Sequence, residues 1–297
     1  MVVEKEGTLI PKAPYDFDKT LTFLRKFPPS KEGQAGDTFT KAIMIDGQVI
    51  LFELLSKGDI KKPQLKYKLY SDTVMTNEKV AEAIKRISFF LSLYDDLNPF
   101  YQLSKTDPIF YPICKKLYGY HHVKFLTAFE NACWAILSQR TPVHLARSIK
   151  NELASAFGKS IQRNNCTYIA FPEPQHILDA PEDEVLKVVR TERKVNYILS
   201  AAKHFAKVPN TFLMEEDYET VHQWLKEING IGDWSASFIM LRGIGRMERL
   251  PIGEKMLKKE IHSLYGETAD VSKVSDFYGG HVGYWAHYLR AATLFEI

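Results

Sequence analysis

The sequence predicts a mainly α-helical protein with an N-terminal α+β region, on three observations. Apolar residues alternate with period two between Phe39 and Tyr70, Asp46-Gly47 forms a two-residue hairpin signal inside that stretch, and beyond Asp95 the apolar spacing is helical. DKTLTFLRKF opens the organised chain as a helix with Asp18 as its expected N-cap. FTKAIMI and QVILFEL flank Asp46-Gly47, and LKYKLY alternates with lysine, so a small antiparallel sheet with one wet face follows. NEKVAEAIKRISFFLSL, from Asn77, is a long amphipathic helix. FLTAFENACWAILSQ, HLARSIKNELASAF, EDEVLKVVR, KVNYILSAAKHFA, YETVHQWLKEI, SASFIMLRGI, EKMLKKEIHSLYG and VGYWAHYLRAATLF are then helical by period, and the remainder is expected to be all-α. This divides the chain into an α+β domain, residues 1–94, and a helical domain, residues 95–297. No low-complexity linker separates them, so they are expected to pack directly.

The 297 residues include 45% hydrophobic residues, enough for a sizeable core. MVVEKEGTLIPK lacks the basic-then-apolar order of a signal peptide, and no apolar run reaches the length of a membrane span. Cytoplasmic residence is expected. Cys114, Cys133 and Cys166 match neither a disulfide framework nor the spacing of a zinc or iron-sulfur site, and are expected to be reduced structural thiols. His121-His122, His281 and His287 show no ligand spacing either. With a net charge of only +3, a polyanionic partner must be attracted by a local patch.

EINGIGDWSASF, from Glu227 to Phe238, places Gly230 and Gly232 between two helical runs. Two readings stand. A glycine-capped αα-hairpin explains the turn without any ligand. Alternatively, glycines without side chains let backbone N–H groups approach a phosphate, which binds DNA without reading its sequence. Arg242, Arg246, Arg249, Lys255, Lys258 and Lys259 concentrate positive charge just downstream, while Asp233 is expected as N-cap of the second helix.

The longer segment LKEINGIGDWSASFIMLRGIGRMERLPIGEKMLKKEI resembles the helix-hairpin-helix (HhH-GPD) DNA glycosylase superfamily, in particular its 3-methyladenine DNA glycosylase II branch. PYDFDKTLTFL, DDLNPFY, AILSQ, FPEPQHIL and YWAHYLRAA are similar to that branch too, so nearly the whole chain is covered. The resemblance implies a sheet domain like half a TATA-binding protein, packed on two helical subdomains that form a cleft. It implies a monomeric, nucleoid-associated base-excision repair enzyme that flips an alkylated purine out of double-stranded DNA and hydrolyses its glycosidic bond.

By the same resemblance, Phe23, Trp234 and Phe238 line the base pocket, and Gln139 and Arg140 supply the wedge that fills the emptied stack. Gly230, Ile231 and Gly232 meet the DNA backbone, and the carbonyls of Lys226, Ile228 and Ile231 hold a monovalent cation, Na+ or K+. Trp234 stands where lyase-active relatives carry a Schiff-base lysine, which implies a monofunctional enzyme. Without a cysteine after Cys166, no iron-sulfur cluster is expected. In Pro251-Ile252-Gly253-Glu254, Glu254 replaces the family's catalytic aspartate. An active glycosylase using Glu254 and a damaged-DNA-binding protein of the same fold therefore both remain open. A nuclease module is disfavoured, since the sequence shows no clustered acidic metal site.

Overall fold

The structure is a computed structural model that describes residues 3–27, 38–250, 255–267 and 270–297. Strands β1 (Val3–Leu9), β2 (Thr38–Ile45), β3 (Gln48–Ser56) and β4 (Leu65–Ser71) form one antiparallel sheet in the order β1-β4-β3-β2. Asp46 and Gly47, at φ 47° and 70°, make the mirror-image turn that a two-residue hairpin requires. β1 adds a strand to the three expected; its charged VEKEGTL carries too little apolar alternation to announce itself. Helix α1 (Phe17–Lys26) is capped by Asp16, whose carboxylate accepts from Lys19 N at 3.0 Å, and the expected cap Asp18 lies inside the first turn.

Helices α2 (Asn77–Phe90), α3 (Asn98–Ser104) and α4 (Tyr111–Lys116) follow the sheet. A second group then builds up: α5 (Ala128–Ser138), α6 (Val143–Phe157), α7 (Pro174–Leu178), α8 (Glu182–Val189), α9 (Glu192–Phe205), α10 (Asn210–Glu215), α11 (Tyr218–Lys226) and α12 (Asp233–Ile239), which runs into a π-helical turn at Met240–Ile244. Helices α13 (Lys255–Tyr265), α14 (Val271–Tyr278) and α15 (Val282–Phe295) complete the chain. Among the described residues, no helix is long and apolar enough to cross a membrane.

The region beyond Asp95 is not all helical. β5 (Lys159–Arg163) and β6 (Cys166–Ala170) form a hairpin turned by Asn164 and Asn165, both at positive φ. Its polar strands gave no period-two signal. Ile161 and Ala170 bury against Ala42, Met44, Leu51 and Tyr70, so this hairpin covers the sheet face that the sequence left wet. Cys114 and Cys133 are buried, as structural thiols should be, whereas Cys166 is exposed on β6.

Two larger cores organise the molecule. One joins the inner sheet face and α1–α4 to apolar residues from Leu241 to Ala291; the other is built within residues 125–244 around the almost wholly buried α5. Asp107 ties distant parts of the first core together. Its Oδ2 accepts from Tyr265 Oη at 2.5 Å and Tyr278 Oη at 2.8 Å, while Trp285 Nε1 donates to Tyr265 Oη at 3.1 Å. Through Tyr265, its last residue, these bonds tie the C-terminal end of α13 to α14 and α15.

Candidate nucleic-acid interface

The turn between α11 and α12 is held from beneath by Ile228 and Ile231, 1% and 5% exposed, and closed by Ile231 N donating to Ile228 O at 3.0 Å. Its two glycines differ in kind. Gly230 has φ +85°, and a Cβ there would stand 2.2 Å from the Tyr197 ring, so backbone and packing both demand glycine. Gly232 has an ordinary extended conformation, and a Cβ added to it would meet nothing within 4 Å. Neither backbone strain nor packing requires glycine at 232, and the turn is open on that side. Gly232 is also the N-cap of α12, which displaces Asp233 into the first helical position, where its carboxylate pairs with Lys226 Nζ at 2.7 Å.

One turn along α12, Phe238 lies parallel to Trp234, with ring centroids 5.4 Å apart and planes 5° apart. Trp234 stays 40% exposed beside the hairpin, which is costly for so large an apolar ring unless something covers it. From Phe238 an aromatic series leads inward through Phe125 at 6.3 Å and Phe27 at 6.0 Å to Phe23 at 5.1 Å. Phe23 itself is 2% exposed, packed among Phe27, Tyr120 and His287. The structure therefore brings Trp234 and Phe238 together and sets Phe23 in the core behind them. Helical period shows that Phe23 faces inward but not that two further rings stand in front of it.

The end of α5 approaches the same hairpin. Gln139 Nε2 donates to Gly230 O at 2.7 Å, so its amide is committed to the turn. Arg140 is exposed with φ +50°, a left-handed conformation costing a non-glycine residue about 1–2 kcal/mol. Behind it, Lys194 on α9 is 7% exposed and donates to Leu137 O at 2.7 Å and Thr141 Oγ1 at 2.5 Å. Sequence reasoning missed Lys194, although the signal was present: a lysine in the apolar stripe of α9 with Val195, Ile198 and Ala202.

The basic cluster disperses on folding. Arg242 is buried, with its guanidinium 4.3 Å from the Phe27 centroid and 5.0 Å from that of Phe23, so it is not a phosphate contact. Arg246 donates to Glu248 Oε1 and Glu216 O, and Arg249 pairs with Glu219. Lys258 and Lys259 are exposed on α13. Glu254 lies outside the described residues, as does the side chain of Lys255. Elsewhere, a cleft of about 340 Å³ between β2, α2, α10 and the start of α5 is lined by Phe89, Phe129, Phe171 and Phe205. It contains none of the predicted site residues. Among the described residues, no cluster of histidine, cysteine and acidic side chains could hold a metal ion.

An open glycine edge, an exposed stacked indole and an arginine at positive φ thus stand side by side at this hairpin. The chain matches, over residues 133–276, the family described as HhH-GPD superfamily base excision DNA repair proteins. It is 30% identical over 188 residues to a DNA-3-methyladenine glycosylase of Bacillus subtilis, covering 63% of this chain and 61% of that protein. It is 26% identical over 116 residues to DNA-3-methyladenine glycosylase 2 of Escherichia coli, covering 39% of this chain and 41% of that protein. The matched length is thus less than two thirds of either relative. A 3-methyladenine DNA glycosylase from Archaeoglobus fulgidus shares the fold over 97% of this chain and 98% of its own, with a TM-score of 0.80 at 19% identity. An 8-oxoguanine glycosylase/lyase of Clostridium acetobutylicum, in complex with double-stranded DNA, does so over 100% and 99%, with a TM-score of 0.68 at 17% identity.

Proposed function

We propose that the chain is a monofunctional DNA glycosylase that releases alkylated purines from double-stranded DNA. The Trp234–Phe238 pair carries the reading: an indole still 40% exposed, backed by a parallel ring, on the first turn after the hairpin. A flat π-surface in that place suits an extruded base, and its electron-rich face favours the cationic purines that alkylation produces. The open edge at Gly232 admits a phosphate to the backbone amides, and Arg140 stacks in the gap left by the flipped nucleotide. Glu254 supplies the carboxylate. As the glycosidic bond lengthens, positive charge builds on the sugar, which a fixed carboxylate stabilises while it orients the attacking water.

No lysine stands at the start of α12, so the bond breaks by hydrolysis, and borohydride added during turnover should trap no protein–DNA adduct. The carbonyls of Lys226, Ile228 and Ile231 are hard oxygen donors on one turn, the donor type Na+ or K+ takes, and such an ion would add positive charge toward the DNA backbone. The relatives named for 3-methyladenine support the alkylated substrate; the 8-oxoguanine enzyme bears on the fold alone.

The test is release of free 3-methyladenine and 7-methylguanine from alkylated duplex DNA. One observation favours a second reading, a protein that binds damaged DNA without cutting: Glu254 is one methylene longer than the aspartate of the family pattern. Retained binding without base release would establish that reading in place of the first.

A further inference from the structure

We propose that one face of α9, carrying Lys194, Tyr197 and Ser200, sets the wedge and the hairpin in register, and that Lys194 is the positioning residue for Arg140. This extends the glycosylase reading and rests on it for its consequence in excision. The three residues recur at a spacing of three, which keeps them on one side of the 14-residue helix. Each grips a different part of the interface. Lys194 Nζ donates to Leu137 O and Thr141 Oγ1, taking hold of the chain on both sides of Arg140. Tyr197 packs its ring under Gly230, and Ser200 Oγ accepts from Asn229 N at 3.1 Å. Thr141 Oγ1 also donates to Gln139 O at 3.0 Å, and Gln139 Nε2 closes the circuit on Gly230 O. Two segments far apart in sequence are thereby referred to one rigid element, the arrangement a preorganised site needs.

The chemistry of Lys194 argues against simple filling. An ammonium 7% exposed, with two neutral oxygens as acceptors, is more costly to bury than an apolar chain of the same length. What the charge supplies is a pair of strong bonds, one to a carbonyl of the last turn of α5 and one to Thr141, that hold the residues between them in the turn where Arg140 takes its left-handed conformation.

Lys194→Met keeps the length of the side chain and removes the donor. In the free protein, amide exchange across residues 138–141 should speed up at least tenfold, with little change in the remainder of α9 or in α6. On a duplex with 2-aminopurine beside a tetrahydrofuran abasic site, the fluorescence change on binding should fall to about a tenth of native. Single-turnover excision of 7-methylguanine should slow about tenfold, with affinity for undamaged duplex within twofold. Thr141→Val, which removes one acceptor, should shift each readout in the same direction by about threefold, and serves if Lys194→Met does not fold. Unchanged exchange at 138–141, or equal acceleration throughout the protein, overturns the proposal. If native protein releases no base, the glycosylase reading falls, and the exchange and fluorescence results still decide the role of Lys194.

Discussion

The side-chain amide of Gln139 donates to the carbonyl of Gly230 at 2.7 Å, joining residues 91 positions apart in the chain. This bond separates the two wedge candidates. Gln139 is occupied in holding the hairpin, and Arg140 alone of the pair extends toward solvent. Removing the amide should therefore loosen the hairpin, whereas removing the guanidinium should leave the hairpin in place and the emptied stack unfilled.

The two hairpin glycines should respond differently to the same substitution. Gly230→Ala places a Cβ at φ +85° against Tyr197 and should cost at least about 1–2 kcal/mol, seen as a fall of several degrees in Tm. Gly232→Ala should lower Tm by only a few degrees at most, the worth of a weaker N-cap, and weaken binding to damaged and undamaged duplex alike by about tenfold, the worth of one hydrogen bond to a charged group. Undiminished affinity in Gly232→Ala would mean that the turn does no more than reverse the chain.

Trp234→Ala should lower excision by about 10- to 100-fold, since stacking a base on an aromatic ring contributes about 1–3 kcal/mol. Affinity for undamaged duplex should barely move. The ring is already 40% exposed, so thermal stability should fall only modestly, by the contact with Phe238, about 0.5–1.5 kcal/mol, together with the burial of the covered part of the ring. Equal losses in excision and undamaged-duplex binding would remove Trp234 from the pocket.

Glu254 allows charge to be separated from position. Asp and Glu carry the same carboxyl group, but an added methylene moves it by about 1 Å, a displacement that can cost about a hundredfold in rate. Glu254→Gln should abolish base release. Glu254→Asp should raise release above native if the rest of the pocket keeps the family geometry, and lower it if the site is built around the longer side chain. Single-turnover rates on 7-methylguanine DNA decide between these outcomes; activity retained in Glu254→Gln would remove this residue from the chemistry.

Burial holds His122 and His287 well below the ordinary imidazole range, their rings 4.2 Å apart and Arg242 adding to the effect. The folded protein therefore keeps both neutral, while the unfolded chain binds protons below about pH 6.5. Stability is full above that pH and falls as the solution is acidified, by up to about 1.4 kcal/mol per pH unit for each histidine. Melting curves should be level from pH 8 to 7 and decline from 6.5 to 5. Neither ring nitrogen of His122 has a hydrogen-bond partner among the described residues, so His122→Phe should fold well and flatten the decline. An unaltered slope in that variant would assign the acid sensitivity elsewhere.

Much of the fold was legible because its signals are local. Asp46-Gly47 forces its hairpin, and the apolar stripes of α2 and α11 describe their buried faces. β1 was not legible, since its partner β4 lies some sixty positions on and supplies the order that VEKEGTL lacks. The β5–β6 hairpin depends in the same way on the sheet it covers. At the site, the glycines and Trp234 could be found by pattern. The depth of Phe23, the inward turn of Arg242 and the clamp by Lys194 arise from packing between segments that no single window of sequence contains.

The division of the apolar interior also sets an order of events during synthesis. The buried residues of the core around α5 all come from 125–244, with Phe27 packed at its edge, so most of that core can close once that stretch has left the ribosome, whereas the core beneath the sheet joins residues from Leu9 to Leu126 with others from Leu241 to Ala291. The sheet is made first and sealed last. Until α13 and α15 emerge, Phe100, Phe110 and Tyr120 lack the partners they bury against, and the nascent chain carries a sticky surface for most of its translation, the kind of surface that holdase chaperones recognise.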